Sequence, residues 1–198
     1  KVERHPDKNI DLYRQNEITL LLNSEQGSFG DSFQKAHGPS ISAMGWRFDR
    51  PAEAFAEAVR RGARPAVQRD YDLSTERSLP AIYGIGDSLI YFLPAETRFE
   101  LERIQDPIMN KEKGFLSIDH LTNNVYKGTM NDWVKFYQGI FGFTQVRHFD
   151  IKGKKTGLMS FALRSPCGQF CIPINEADEA KSQINEYLNE YHGPGIQH

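Results

Sequence analysis

The side chains best suited to chemistry in this 198-residue chain are histidines, and two of the six stand out by position. His120 lies in the run FLSIDHLTNNV, and His198 follows His192-Gly193-Pro194-Gly195-Ile196-Gln197. Alternation along an extended segment places His120 on the face of Leu116, Ile118, Thr122 and Asn124. An inward-facing imidazole there is either a metal ligand or a hydrogen-bonded core residue, and both readings also hold for His198. The pair carries more weight than either ring alone, because each opens a strand and such strands can converge on one cavity. Two imidazoles and one carboxylate on one side of a metal leave three coordination positions open. Each ring needs its other nitrogen oriented by an acceptor, which the sequence does not identify. His5, His37, His148 and His192 lie near turns or exposed ends and suggest no ligand role. Cys167 and Cys171 form a lone C-x3-C, short of the four ligands of a closed zinc site, and read as structural thiols.

The elements that must position these rings are legible in the hydrophobic pattern. Apolar residues at i, i+3, i+4 and i+7 predict three helices, through Ala52/Phe55/Ala56/Val59, Trp133/Phe136/Tyr137/Ile140 and Ile184/Tyr187/Leu188/Tyr191. Each stripe ends at a glycine, Gly62, Gly142 or Gly193, where a left-handed residue can stop a helix, and Pro51 suits the first turn of the first. Strand-like runs are more numerous: IDLYRQ and ITLLLN about a turn at Asn16-Glu17, then SAMGWRF, SLIYFL, FLSIDHLTNNV, TQVRHFD, GLMSFALRS and QFCIPINE. The charged stretch around Pro107 predicts a division into a first unit at 1–95, a linker at 96–114 and a second unit at 115–198.

An internal repeat links the two units. Asn23-Ser24-Glu25 closes a strand and is followed by a helical stretch and His37-Gly38-Pro39-Ser40-Ile41. Asn175-Glu176-Ala177 closes another, again followed by a helical stretch and His192-Gly193-Pro194-Gly195-Ile196. In this register Ala43 holds in the first copy the place of His198 in the second, so one copy keeps a ligand type that the other lacks. The second copy begins with a strand and helix ahead of its hairpin; the first begins at the hairpin, and so is expected to lack that pair.

Bulk properties narrow the partner. With 39% hydrophobic and 25% charged residues and a net charge of −2, the chain has the composition of a globular protein. No apolar run approaches the roughly 18 residues of a membrane span. No basic stripe could neutralise several phosphates, which argues against nucleic acid. Two cysteines and an opening without a signal pattern predict a cytoplasmic protein, and a small polar organic ligand fits best.

SIDHLTNNVYKG, a strand ending in a Tyr-Lys-Gly turn, resembles the first ligand strand of 4-hydroxyphenylpyruvate dioxygenases, members of the vicinal-oxygen-chelate superfamily. FDIKGKKTGLMSFAL, IPINE, KSQINEY and GPGIQH are similar to the same family in order and spacing, and LYRQNEITLLLN, HGPS and PAIYGIG resemble its amino-terminal unit. The likeness implies an α+β fold of glyoxalase-like βαβββ modules, mixed curved sheets with flanking helices, here as two partial modules. It implies that His120 and His198 are ligands of Fe(II), that Ser160, Asn175 and Gln183 line the substrate pocket with catalytic roles, and that Pro173 forms its wall. Pro173 and Asn175 share one strand face by alternation, and Phe170, Ile172 and Ile174 the other. Gln197 also matches a residue near the site, but alternation points it away from His198. Asn175 can equally cap the following helix, with Glu176 and Asp178 favouring its positive end, and Ser160 can be an ordinary small strand residue.

The implied reaction joins 4-hydroxyphenylpyruvate, an aromatic α-keto acid, with O2 to give homogentisate and CO2 in tyrosine breakdown. The family's third ligand is a glutamate on a later strand; Glu176 and Glu186 lie in the wrong elements to replace it, so the 198-residue chain is expected to be inactive. Two other readings remain: hydroxymandelate synthase, with the same fold and substrate, and a non-catalytic binding module, for which Ala43 is the precedent. Exposed strand edges that could pair between chains predict a homo-oligomer.

Overall fold

A computed structural model describes residues 1–198 except 72–78, 97, 98, 100, 105–112 and 153–156. Most of the expected linker therefore lies outside the described residues, as does the GKKT segment at 153–156. Four strands, β1 (Glu3–Arg4), β2 (Ile10–Gln15), β3 (Ile18–Asn23) and β7 (Glu102–Arg103), form an antiparallel sheet in the order β3-β2-β1-β7. The short strand β7 falls within the stretch read as linker. Asn16, at the β2–β3 turn, takes the left-handed conformation (φ 50°) that asparagine tolerates better than other side chains.

Helix α1 (Phe29–His37) follows β3, with Ser28 accepting at its N-terminus from the Asp31 N–H. The Asp70 carboxylate covers two more first-turn donors, Phe29 N at 2.7 Å and Gly30 N at 2.8 Å. Next come β4 (Ala43–Phe48) and α2 (Pro51–Arg60), then β5 (Ala81–Tyr83) and β6 (Leu89–Pro94) in a three-stranded sheet β4-β6-β5.

The second half builds a five-stranded sheet in the order β12-β8-β11-β10-β9. Its strands are β8 (Asn123–Val125), β9 (Thr144–Lys152), β10 (Gly157–Arg164), β11 (Cys171–Ala177) and β12 (Gly195–Ile196). Helix α3 (Met130–Phe141) ends at left-handed Gly142, as its stripe predicts. Helix α4 (Gln183–Glu190) departs from expectation: His192 takes the positive φ of 58°, ahead of the expected stop at Gly193. Its cap is also not Asn175; Ser182 accepts from Asn185 N at 3.2 Å. Glu176 serves a different helix, accepting from Gly128 N at 2.9 Å and Met130 N at 3.2 Å at the start of α3.

The architecture is α+β with mixed sheets, and the two halves share one core. Met44, Ile82, Ile90 and Phe92 from the first pack with Val125, Val134, Tyr137, Leu163, Ile172 and Ile174 from the second. Trp46 reaches across, its ring 4.7 Å from Phe141 and 5.5 Å from Phe143.

Strand, helix, His-Gly-Pro and strand recur as β3–α1–β4 and β11–α4–β12. The copies differ in what lies between their strands. In the second, β8 sits parallel to β11 and antiparallel to β12. In the first, no strand separates β3 from β4 among the described residues, and a cleft of about 1610 Å³ lies there, lined by Leu20, Leu22, Phe33, Met44 and Trp46 among others. Leu20 and Leu22 are 54% and 55% exposed, whereas Ile172 and Ile174, their counterparts in the repeat, are 0% exposed in the shared core with α3.

Candidate functional site

The strand expected across 115–125 is shorter than its alternation suggests. Only Asn123–Val125 is regular strand, and Leu116 is 70% exposed, not inward-facing. The reason lies in its partners: Phe115 and Leu116 give their carbonyls to the β2–β3 turn, accepting from Asn16 Nδ2 at 2.5 Å and Glu17 N at 3.2 Å. From His120 onward the chain rejoins the sheet. An isolated parallel bridge pairs His120 with Cys171, in the same register that pairs Asn123 with Ile174 and Asn124 with Asn175. Alternation from Asn124 back through Thr122 therefore sets His120 on the face of Pro173 and Asn175.

His198 reaches that face by an irregularity. Gly195 pairs with Asn124 and Ile196 with Asn123. Beyond them the Thr122 carbonyl accepts from Gln197 N at 2.8 Å, while Thr122 N donates to the His198 carbonyl at 2.7 Å. Two residues of one strand thus answer one of the other, the pattern of a β-bulge, which re-aims the side chains beyond it. The expectation that Gln197 points away from His198 fails for this reason. Gln197 Oε1 accepts from Asn124 Nδ2 at 2.9 Å, and the His198 ring stands 5.8 Å from that of His120, with the planes at 86°. Both side chains address the same face.

The rings are within sharing distance of one ion. With metal–nitrogen bonds of roughly 2 Å, the centres of two imidazoles on one metal lie about 4.5 Å apart at a right angle and up to about 6.4 Å in line, so a facial pair needs these rings to close by roughly 1 Å. His120 Nδ1 is 2.7 Å from Asp119 Oδ2, so a neutral His120 carries its proton on Nδ1 and leaves the Nε2 lone pair free. The Asp119 side chain is largely exposed, which makes it a weak orienter. His198 is exposed and His120 half-buried. Among the described residues, no group of three or more histidine, cysteine or acidic side chains could hold a metal.

Beside the rings runs a row of neutral polar groups. Ser160 lies opposite Asn175, and Asn175 beside Asn124, across three adjacent strands. Asn175 Nδ2 donates to Asn124 Oδ1 at 3.2 Å, and Asn124 passes the chain on to Gln197. Asn124 is fully buried and Ser160 nearly so. Pro173, two residues from Asn175 on the same face, stands opposite Ala162. Gln183 is not part of this row; it heads α4 and is exposed. Alternation put Asn124, the hub of the row, on the face of His120, but sequence alone assigned it no role. The lining of the cleft between β3 and β4 includes neither His120 nor His198.

Comparisons with known proteins bear on this site. Residues 1–106 match the family described as hydroxyphenylpyruvate dioxygenase, N-terminal, and residues 117–198 match the glyoxalase/bleomycin resistance protein/dioxygenase superfamily. The chain is 53% identical over 205 residues to protein MelA of Shewanella colwelliana, covering 100% of this chain and 58% of that protein. It is 42% identical over 199 residues to a 4-hydroxyphenylpyruvate dioxygenase of Legionella pneumophila, covering 100% of this chain and 56% of that protein. The chain thus spans little more than half the length of these relatives. A solved variant of 4-hydroxymandelate synthase from Streptomyces coelicolor superposes with a TM-score of 0.82 at 20% identity, over 99% of this chain and 61% of that one, and shows a shared fold. A fusion of a xylose isomerase-like TIM barrel with a 4-hydroxyphenylpyruvate dioxygenase gives a TM-score of 0.77 at 28% identity, over 100% of this chain and 31% of that one.

Proposed function

We infer, from the premise that the chain belongs to the hydroxyphenylpyruvate dioxygenase family, that the protein containing it converts 4-hydroxyphenylpyruvate and O2 to homogentisate and CO2. The observation that carries this reading is the approach of His120 and His198 beside the row of neutral amides.

Neutral imidazoles suit Fe(II), and two of them on one face match the histidine part of a two-histidine, one-carboxylate set. Bound there, Fe(II) supplies the redox chemistry with O2 and a positive charge for the α-keto acid. The chain's residues hold and orient. Ser160 and Asn175 present a hydroxyl and an amide on the ring-bearing face, able to hydrogen-bond a polar substrate without adding charge. Pro173, with no N–H and a rigid ring, gives that face an apolar patch for an aromatic ring. Asn124 is a positioning residue: its amide fixes the orientation of Asn175 and Gln197. The carboxylate that completes the set is proposed to come from a glutamate outside residues 1–198. The division at 1–95, 96–114 and 115–198, a cytoplasmic location and a homo-oligomeric state belong to the same proposal. No helix among the described residues is long and apolar enough to cross a membrane.

Product analysis tests this. The 198-residue chain alone should give no turnover, whereas a protein extended through the glutamate-bearing strand, supplied with Fe(II) and 4-hydroxyphenylpyruvate, should yield homogentisate. If 4-hydroxymandelate forms with no homogentisate, the side chain is oxidised and not the ring, and the assignment is wrong. A protein with no stoichiometric iron and no product would be a binding module.

A further inference from the structure

We propose that Gly86 and His37, both in the first half of the chain, are positioning residues for His198. The proposal rests on the reading of His198 as a ligand, and concerns how its ring is kept in place.

Gly86 lies in the 3-10 turn Ile85–Asp87 between β5 and β6, with a φ of +62°. It meets the second half without a gap. A Cβ at this position would stand 2.0 Å from the Pro194 carbonyl oxygen and 3.0 Å from its carbon. That neighbour is backbone, so no rotamer change relieves the clash, and any side chain must push Pro194 away. Pro194 lies four positions before His198 in the chain.

His37 supplies a second point of hold. It closes α1, and its Nδ1 lies 2.8 Å from the Tyr191 carbonyl oxygen, so the ring donates and the carbonyl accepts. The ring also stacks on Tyr191 at 4.6 Å and 19°, with Phe33 behind it at 4.5 Å. Tyr191 stacks in turn on Tyr187 at 4.9 Å, and the Tyr187 hydroxyl donates to the Ile196 carbonyl at 3.1 Å. Gly195 runs under the Tyr191 ring, where a Cβ would come within 2.3 Å of it. The turn from Tyr191 to Ile196 is thereby gripped from the first half at Tyr191 and Pro194 and from the second by its tyrosines.

This grip matters because the pairing of β12 with β8 turns irregular just before the His198 ring. Beyond Ile196 the chain is held by the irregular pairing of Gln197 and His198 with Thr122. A bulge has no alternation to restore its register once its base moves, so displacing Pro194 should rotate His198 away from His120. The two His-Gly-Pro motifs of the repeat thus meet in space. The first copy has Ala43 where the second has a ligand, yet its histidine holds the second copy's turn.

The test uses the 198-residue chain with Gly86→Ala, His37→Leu and His37→Asn, whose amide N–H can stand near the place of Nδ1. Amide exchange is followed at Thr122 and Gln197 against Phe161 and Ile174 in the β10–β11 pair. Gly86→Ala and His37→Leu should speed exchange at Thr122 and Gln197 by about tenfold or more and leave Phe161 and Ile174 within about twofold, with His37→Asn restoring protection. Unchanged exchange at Thr122 and Gln197, or equal acceleration at all four amides, overturns the proposal. Co(II) titration of the same variants, made in the protein extended through the glutamate-bearing strand, separates the two readings. If the parent chain binds Co(II), Gly86→Ala should raise the midpoint by about tenfold or more. If the parent binds none while the exchange pattern appears, the clamp stands and the ligand reading of His198 fails.

Discussion

Replacing Tyr137 with phenylalanine should stabilise the protein, while the same change at Tyr91 should weaken it. Tyr137 is fully buried at the centre of the shared core, and its hydroxyl has no hydrogen-bond partner among the described residues. Burial alone pushes its pKa up, so the group is a neutral phenol that has given up its water. An unpaired buried hydroxyl costs about 1–3 kcal/mol. Deleting its oxygen leaves a void of roughly 10 Å³, worth about 0.2 kcal/mol at ~24 cal/mol per Å³. The net gain for Tyr137→Phe is therefore about 1–3 kcal/mol, or roughly 2–11 °C in Tm for a chain of this size. Tyr91 is nearly as buried, but its hydroxyl accepts from Asp70 N at 2.9 Å. Tyr91→Phe leaves that N–H unpaired and should cost about 1–2 kcal/mol. Calorimetric melts of the parent and both variants measure the two shifts side by side. A fall in Tm for Tyr137→Phe matching that of Tyr91→Phe refutes the reasoning, since it means that the Tyr137 hydroxyl is paired in solution.

Single contacts set three further expectations. Glu176→Ala removes the carboxylate that receives two donors at the start of α3 and should cost about 2–4 kcal/mol in urea unfolding; a loss below about 0.5 kcal/mol would show that water replaces it. Cys167 is exposed, and the Ser165 hydroxyl at 3.2 Å, with help from the Gln169 backbone, holds its thiol below the ordinary range. A lowered thiol pKa means more thiolate at a given pH, so iodoacetamide should label Cys167 before Cys171. The inflection of its rate should move to higher pH in Ser165→Ala. Asn124→Ala breaks the amide chain to Asn175 and Gln197 and, in the extended protein, should raise KM for the keto acid about tenfold with a smaller change in kcat; a change confined to thermal stability would make Asn124 a core residue only.

Helix positions were legible because the apolar stripes through Ala52, Trp133 and Ile184 repeat at the helical period over two turns or more, and a packed helix must bury such a stripe. The His-Gly-Pro repeat marked the two equivalent turns. What alternation could not reveal is whether a neighbouring strand is present. Leu116 and Leu20 have the pattern of buried strand residues and are exposed, because the position beside each holds no covering element among the described residues. The alternative reading of Asn175 and Glu176 as the start of α4 fails for a related reason. Glu176 adjoins α4 in sequence, but the fold sets it beneath α3, 46 residues earlier at Met130. The approach of His120 to His198 followed from the resemblance, whereas the bulge that turns both Gln197 and His198 to one face depends on two backbone bonds at Thr122 that no side-chain pattern encodes.

The central claim is that His120 and His198 bind one ion together, and a double-mutant cycle on metal affinity tests it most directly. Co(II) affinity is measured for the parent, His120→Ala, His198→Ala and the double variant. The account predicts that either single change lowers affinity by roughly 100-fold and that the second adds almost nothing, since one imidazole alone cannot hold the ion. Independent, additive losses, or single variants that bind as the parent does, would contradict it.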